Sequence, residues 1–286
     1  MEVAFRLLDV FTEEPFAGNQ LCVVPDPPPD LDERTMQVLA REIAYSETTF
    51  VTAIRDGGYD VRIFTPVSEL PWAGHPTLGT AFTLVSDGRV PSEVVQTSIA
   101  GDVPVQVDTE AGTAWMHQLP ATFGAPIADR AAIAAGAGLD PDDLVNDLPV
   151  VVGSTGIPHV MVGVRDEATL RRASRDDARC SAVCATYDAE SLYLFAIRGD
   201  DDVLARMFDR SVEIGEDPAT GSAVGPLGAY LAGRGRAGLP GRVRVAQGEQ
   251  IGRPSFLEVE VSRQDDAFAV RVGGGVRIVG SGSFVV

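Results

Sequence analysis

The alternation of apolar and polar positions divides the chain into short strands interrupted by a few helical stretches. Residues 2–9 alternate with period two, and residues 11–18, with Pro15 and Gly18, turn into a second strand over 19–24. Beyond the proline-rich loop at 25–30, residues 31–43 place Met36, Leu39, Ala40 and Ile43 on one helical face. Strands follow at 46–51 and 59–64, then a helix opening at Pro76 and running to about Ser86, then strands near 94–97, 103–107 and 113–118. Residues 122–126 read as a linker. The Ala-rich stretch 128–137 reads as a helix, 140–144 as a short helix with an acidic start, and 159–164 and 192–197 as buried strands flanking a short helix at 167–173.

The stretch 70–81 organises this pattern, because a loop there turns directly into a helix built from small residues. Gly74 allows close backbone approach, Pro76 has the φ of a first helical turn, and the free N–H groups at such a start attract a carboxylate or phosphate. The plainer reading is a tight loop leading into a core helix, with His75 a satisfied histidine. A repeat decides between the two. Residues 18–20 ahead of one strand answer 156–158 ahead of another, an offset of 156 − 18 = 138. Residues 46–51 answer 191–196 at 145, Arg62 with Phe64 answers Arg206 with Phe208 at 144, and 73–75 answers 220–222 at 147. The stretch therefore has a partner at 215–231, again a loop entering a small-residue helix. Two α/β halves are expected, with their helix starts converging on one ligand in the cleft between them.

Charge narrows the ligand. Asp and Glu number 41 against 23 Lys and Arg, so the net charge of −18 opposes binding to nucleic acid or to an anionic membrane. An acidic chain that takes a small anionic substrate needs a local positive field, and helix starts supply one. No basic leader or membrane-length apolar run is present, so the cytoplasm is the expected compartment. Cys22, Cys180 and Cys184 form no CxxC pair, and His75, His117 and His159 match no zinc spacing, so neither disulfide nor metal is expected. Cys180 and Cys184 read as two buried thiols in preference to half a metal site.

Other motifs lose to simpler readings. Residues 233–238 match G-x-G-x-x-G but follow a helix and precede a strand, the reverse of a dinucleotide fingerprint. Ser222 lacks the glycines of a nucleophile elbow, and no Walker motif occurs. Glu47, at a strand entry, is either a general base or an ordinary solvated carboxylate. Asp217, ahead of Pro218, is either a helix cap or a site carboxylate. His75 suits a proton shuttle or a ligand anchor, whereas His117 and His159 lie in apolar strand patterns and read as structural.

These residues carry a resemblance. Asp9-Val10-Phe11 with Gly18-Asn19, then 46–51, 62–66, 69–76 and 216–223, then Gln247-Gly248 through Ser255, resemble in order the PhzF-like isomerase family of phenazine biosynthesis, whose members share the fold of diaminopimelate epimerase. The resemblance implies an α+β fold of two pseudo-symmetric domains, each a β-barrel-like sheet around a central helix. The expected N-terminal domain is 1–120 plus 275–286, the C-terminal strand returning to it, and the C-terminal domain is 121–274. It also implies a homodimer, no cofactor, and proton transfer by a glutamate on a small, cyclic amino-carboxylate. By position Glu47 is that acid/base; with His75 and Asp217 it forms the candidate catalytic set, while Gly74, Thr220, Gly221 and Ser222 bind substrate. The related epimerases place cysteines at the two helix starts; here Gly74-His75 and Thr220-Gly221 stand in those regions, so two-thiol racemisation is not expected.

Overall fold

The computed structural model describes residues 2–265 and 267–286 and divides into two compact units, one of residues up to His117 with Gly273–Val286, the other Gln118–Val272. In chain order the elements are β1 (Glu2–Val10), β2 (Asn19–Val24), α1 (Glu33–Ile43), β3 (Glu47–Arg55), β4 (Gly58–Phe64), β5 (Glu69–Leu70), α2 (Gly74–Ser86), β6 (Glu93–Ser98), β7 (Gly101–Asp108) and β8 (Thr113–His117). Then come β9 (Thr122–Phe123), α3 (Arg130–Gly136), β10 (Val151–Ser154), β11 (Pro158–Gly163), α4 (Glu167–Arg172), α5 (Asp177–Thr186) and β12 (Ser191–Ile197). The chain ends with β13 (Asp202–Asp209), β14 (Glu216–Asp217), α6 (Gly221–Gly233), β15 (Gly241–Gln247), β16 (Ser255–Gln264) and β17 (Ala267–Val285).

In the first unit the strands close into a ring. β1 runs antiparallel to β2, β2 parallel to β3, β3 antiparallel to β4, β4 parallel to β6, and β6 antiparallel to β7, which pairs with β8. β17 then joins β8 to β1, so an eight-strand barrel is complete and no barrel strand is left as an open edge. The second unit repeats the sequence of orientations: β10–β11 antiparallel, β11–β12 parallel, β12–β13 antiparallel, β13–β15 parallel, β15–β16 antiparallel. Each parallel step needs a crossover, and the central helices α2 and α6 serve as the crossovers of the β4–β6 and β13–β15 steps.

These helices are buried on all sides, from Gly74 to Leu84 in α2 and from Gly221 to Ala232 in α6. Only small or apolar residues fit there, and the buried hydroxyls are satisfied locally: Thr77 and Thr83 donate to the carbonyls of Ala73 and Gly79, both at 2.8 Å, and Thr49 and Thr80 share a bond of 2.8 Å. A Cβ at Gly228 would stand 2.8 Å from both methyls of Val259. The peripheral helices are ordinary amphipathic ones. α1 is capped by Asp32, which accepts from Thr35 N at 2.8 Å, and packs Met36, Leu39 and Ala40 against Phe50 and Phe64.

An Arg–Glu fork braces the loop that leads into each central helix. Arg62 on β4 donates through Nε and Nη2 to Glu69 on β5, both at 2.7 Å, and its guanidinium lies 5.1 Å from the Phe64 ring. Arg206 on β13 repeats this with Glu216 on β14, at 2.8 and 2.7 Å, over Phe208 at 4.9 Å. Arg206 also donates to the carbonyls of Leu170 and Ala173 at 3.2 and 2.6 Å, so it finishes α4 as well.

Three expectations need correction. Residues 122–126 are not a plain linker: Thr122 and Phe123 pair with Ser154 and Gly153, because the Phe123 ring packs 6.0 Å from Tyr230 and holds the backbone beside β10. The helix at 76–86 begins two residues earlier, at Gly74, so Gly74 and His75 lie inside its first turn. The 145 offset between 46–51 and 191–196 is one residue too long. Thr48 pairs with Phe64 and Leu192 with Phe208, so Glu47 corresponds to Ser191. In a strand a one-residue shift exchanges the two faces, so the difference is not cosmetic.

Gly228→Ala should lower stability by about 1 kcal/mol or more. Overpacking against the stiff Val259 side chain, about 1–3 kcal/mol, outweighs a helix-propensity gain of about 1 kcal/mol. A higher urea midpoint than wild type would refute this. Arg206→Met should cost about 3–5 kcal/mol, because it leaves the nearly buried Glu216 carboxylate unpaired. Arg62→Met, at a more exposed fork, should cost visibly less in the same titration.

Candidate functional site

In the first unit the site grows from the entry of β3 and the start of α2. Glu47 is the first residue of β3 and pairs with Leu21 across the parallel β2–β3 step. Its carboxylate is 14% exposed, and Oε2 lies 3.2 Å from Nε2 of His75, the second residue of α2. The same Nε2 lies 3.2 Å from the carbonyl of Gln20. Burial pushes the His75 ring down to about 3, so the imidazole is neutral and its contact with Glu47 is not an ion pair. Two acceptor oxygens beside one nitrogen of a neutral ring place its hydrogen on Nε2. The α2 start carries no side-chain cap, and Pro76 brings no N–H, so the amides of Gly74 and His75 are the donors at this end of the helix dipole.

In the second unit the loop from β14 to α6 is held from inside. Asp217 accepts the Thr220 hydroxyl at 2.6 Å through Oδ2. Gln247, at the end of β15, donates to the Asp217 carbonyl at 2.8 Å and to Thr220 Oγ1 at 3.0 Å, and its Oε1 accepts the buried Tyr193 hydroxyl at 2.9 Å. Gly248 follows with φ at +81°, where a Cβ would sit 2.6 Å from the Pro218 carbonyl, so only glycine lets this turn lie against the loop. Gly221 and Ser222 then open α6, again without a side-chain cap. Ser222 Oγ lies 3.0 Å from Nε2 of His159, and His159 Nδ1 lies 2.8 Å from Ser191 Oγ. Burial pushes His159 down to about 3 as well, so this ring too is neutral.

The residues named from sequence thus fall into local sets: Glu47 with His75 and Gly74, Asp217 with Thr220, and Ser222 with Gly221. Sequence reasoning passed over His159, Ser191, Tyr193 and the Gln20 carbonyl. The one available signal was a histidine at the entry of an otherwise apolar strand, where the repeat has Leu21. His117 is exposed at the end of β8. Cys180 and Cys184 are buried free thiols on α5. Among the described residues no group of three or more His, Cys, Asp or Glu is placed to hold a metal ion.

Comparison with known proteins agrees with this architecture. The family profile described as phenazine biosynthesis-like protein (PhzC-PhzF) matches residues 8–282. A trans-2,3-dihydro-3-hydroxyanthranilate isomerase of Pseudomonas aeruginosa is 36% identical over 280 residues, covering 93% of this chain and 97% of its own. The crystal structure of a PhzF-family phenazine biosynthesis protein of Bacillus anthracis superimposes with a TM-score of 0.90 at 25% identity, over 100% of both chains. A hydroxyproline epimerase of Agrobacterium vitis, solved with bound trans-4-OH-L-proline, shares the fold at a TM-score of 0.66 and 12% identity over 99% of this chain and 92% of its own. With the profile spanning nearly the whole chain and the relatives named as isomerases, this protein belongs to the phenazine biosynthesis-like PhzC-PhzF family and is an isomerase.

Proposed function

We propose that this isomerase moves a proton on a small carboxylate substrate by general acid/base catalysis, without a cofactor, and that Glu47 is the group that takes and returns the proton. One observation carries the reading: the Glu47 carboxylate, largely withdrawn from water, meets a neutral imidazole within 3.2 Å. The ring beside the carboxylate spends its N–H on the Gln20 carbonyl and brings no counter-charge that would weaken Glu47 as a base. A single base that keeps its proton in a dry site can lift it from one carbon and deliver it to a conjugated position. The amides of Gly74 and His75 and the dipole of α2 then favour the negative charge that develops between the two steps.

Gly221 and Ser222 supply equivalent donors from the α6 start. Thr220 and Asp217 are committed to each other through their side chains, so their part is to hold the loop and to present backbone groups. The substrate class follows the relatives: a ring-borne carboxylate such as trans-2,3-dihydro-3-hydroxyanthranilate is the compound to test first. In this reading the enzyme is a cytoplasmic homodimer.

Glu47→Gln should lower kcat on that compound by about 10²–10⁴-fold while calorimetric affinity stays within a few-fold, and solvent deuterium should cease to enter the substrate. Unchanged exchange in the variant would refute the base assignment, and wild-type binding without any exchange would make the chain a carrier of the compound. The pH dependence is set by the two neutral histidines. Because both titrate near pH 3, neither changes charge between pH 5 and 8, and kcat/KM should show no histidine limb near 6.5. A limb near 6.5 that disappears in His75→Asn would overturn this.

A further inference from the structure

Superimposing the two repeats by strand register shows what stands where the Glu47–His75 contact would be in the second unit. Leu21 pairs with Glu47 across β2–β3, and His159 pairs with Ser191 across β11–β12. His75 and Ser222 are each the second residue of a central helix. The acid position thus holds Ser191, the helix position holds Ser222, and both side chains are too short to meet. His159, from the position of Leu21, bridges them at 2.8 and 3.0 Å.

A neutral imidazole has one N–H and one bare nitrogen, so one serine donates to the ring and the other accepts from it. Burial decides which. Ser191 is fully buried, and among the described residues its hydroxyl has the ring as its one side-chain partner, so a hydrogen not given to Nδ1 would be orphaned at a cost of about 1–3 kcal/mol. Ser222 keeps 7% of its surface exposed, so its hydrogen can meet solvent or a ligand. The chain therefore runs in one direction: Ser191 O–H donates to Nδ1, Nε2–H donates to Ser222 Oγ, and the Ser222 hydrogen is left over. We propose that His159, locked by Ser191, is a positioning residue that makes Ser222 a dedicated hydrogen-bond donor to an anionic oxygen of the substrate. This rests on the reading above that Ser222 contacts substrate. It also separates Ser222 from a serine nucleophile: a nucleophile needs the facing nitrogen bare, and here that nitrogen carries the hydrogen.

Two measurements test it. In the free wild-type protein, long-range ¹H–¹⁵N correlation of His159 should show a bare, pyridine-like Nδ1 and a protonated, pyrrole-like Nε2. The opposite tautomer overturns the proposal whatever the substrate is. In a Glu47→Gln background that binds without turnover, His159→Phe should raise the calorimetric Kd for trans-2,3-dihydro-3-hydroxyanthranilate about tenfold, the loss of about one charge-assisted hydrogen bond. Ser222→Ala should do the same, and the combined variant should be no more than about twofold weaker than either. Fully additive losses would overturn the coupling. Ser191→Asp, which accepts from Nδ1–H and reverses the relay, should flip the tautomer and weaken binding like Ser222→Ala; unchanged binding with a flipped tautomer would also overturn it. If Glu47→Gln binds none of this compound, the substrate reading fails, while the tautomer still decides the relay.

Discussion

A helix buried on every side has one unavoidable weakness, the amides of its first turn, which have no partner within the helix. In each unit the central helix can neither expose these groups on a flank nor cover them with apolar side chains. α2 and α6 therefore begin without side-chain caps, on Gly74-His75 and Gly221-Ser222. Much of the remaining architecture serves to keep those starts in place. The Arg62–Glu69 and Arg206–Glu216 forks brace the preceding loops, and the Tyr193–Gln247–Thr220 network holds the second loop from behind. Stabilising the fold and fixing the direction of these donors are here the same structural task.

Burial sets the chemistry of both histidines in the same direction. A solvent-exposed imidazole would charge near neutrality and pair with any carboxylate beside it. His75 and His159 are both held neutral, and each serves as a directional hydrogen-bond element. In the first unit the ring bonds the Gln20 carbonyl with the Glu47 carboxylate beside it, and in the second its partners are a pair of hydroxyls. One duplicated frame thus carries two different side-chain solutions at matching register positions.

Much of this was legible in the residues. The repeat, the small-residue helices, the strand alternation and the absence of dinucleotide, Walker and nucleophile-elbow patterns all follow from local spacing, and family membership followed from ordered motifs spread over the chain. The errors share one physical origin. The linker at 122–126 became a strand because Phe123 found the Tyr230 ring, a contact between residues more than 100 positions apart. The offset of Glu47 to its counterpart was misread by one because strand register is settled by pairing with β4 and β13. The partners of His159 were not legible at all, because a histidine in an apolar strand looks the same whether or not it is bonded to Ser191 and Ser222.

By itself the sequence determined the two-fold repetition, the kind of element at most positions, the acidic surface and the residue types at both helix starts. Each of these depends on neighbours within a few residues or on composition. The tertiary structure alone decided which carboxylate meets which imidazole, which hydroxyls flank His159, and that both rings are neutral. Hydrogen-bond direction and titration depend on burial and on atoms about 3 Å away, brought there by strands and helices distant in the chain. The stretch around Gly74 and His75 shows the division: its chain segment specifies an open helix start, and only the fold sets Glu47 beside it.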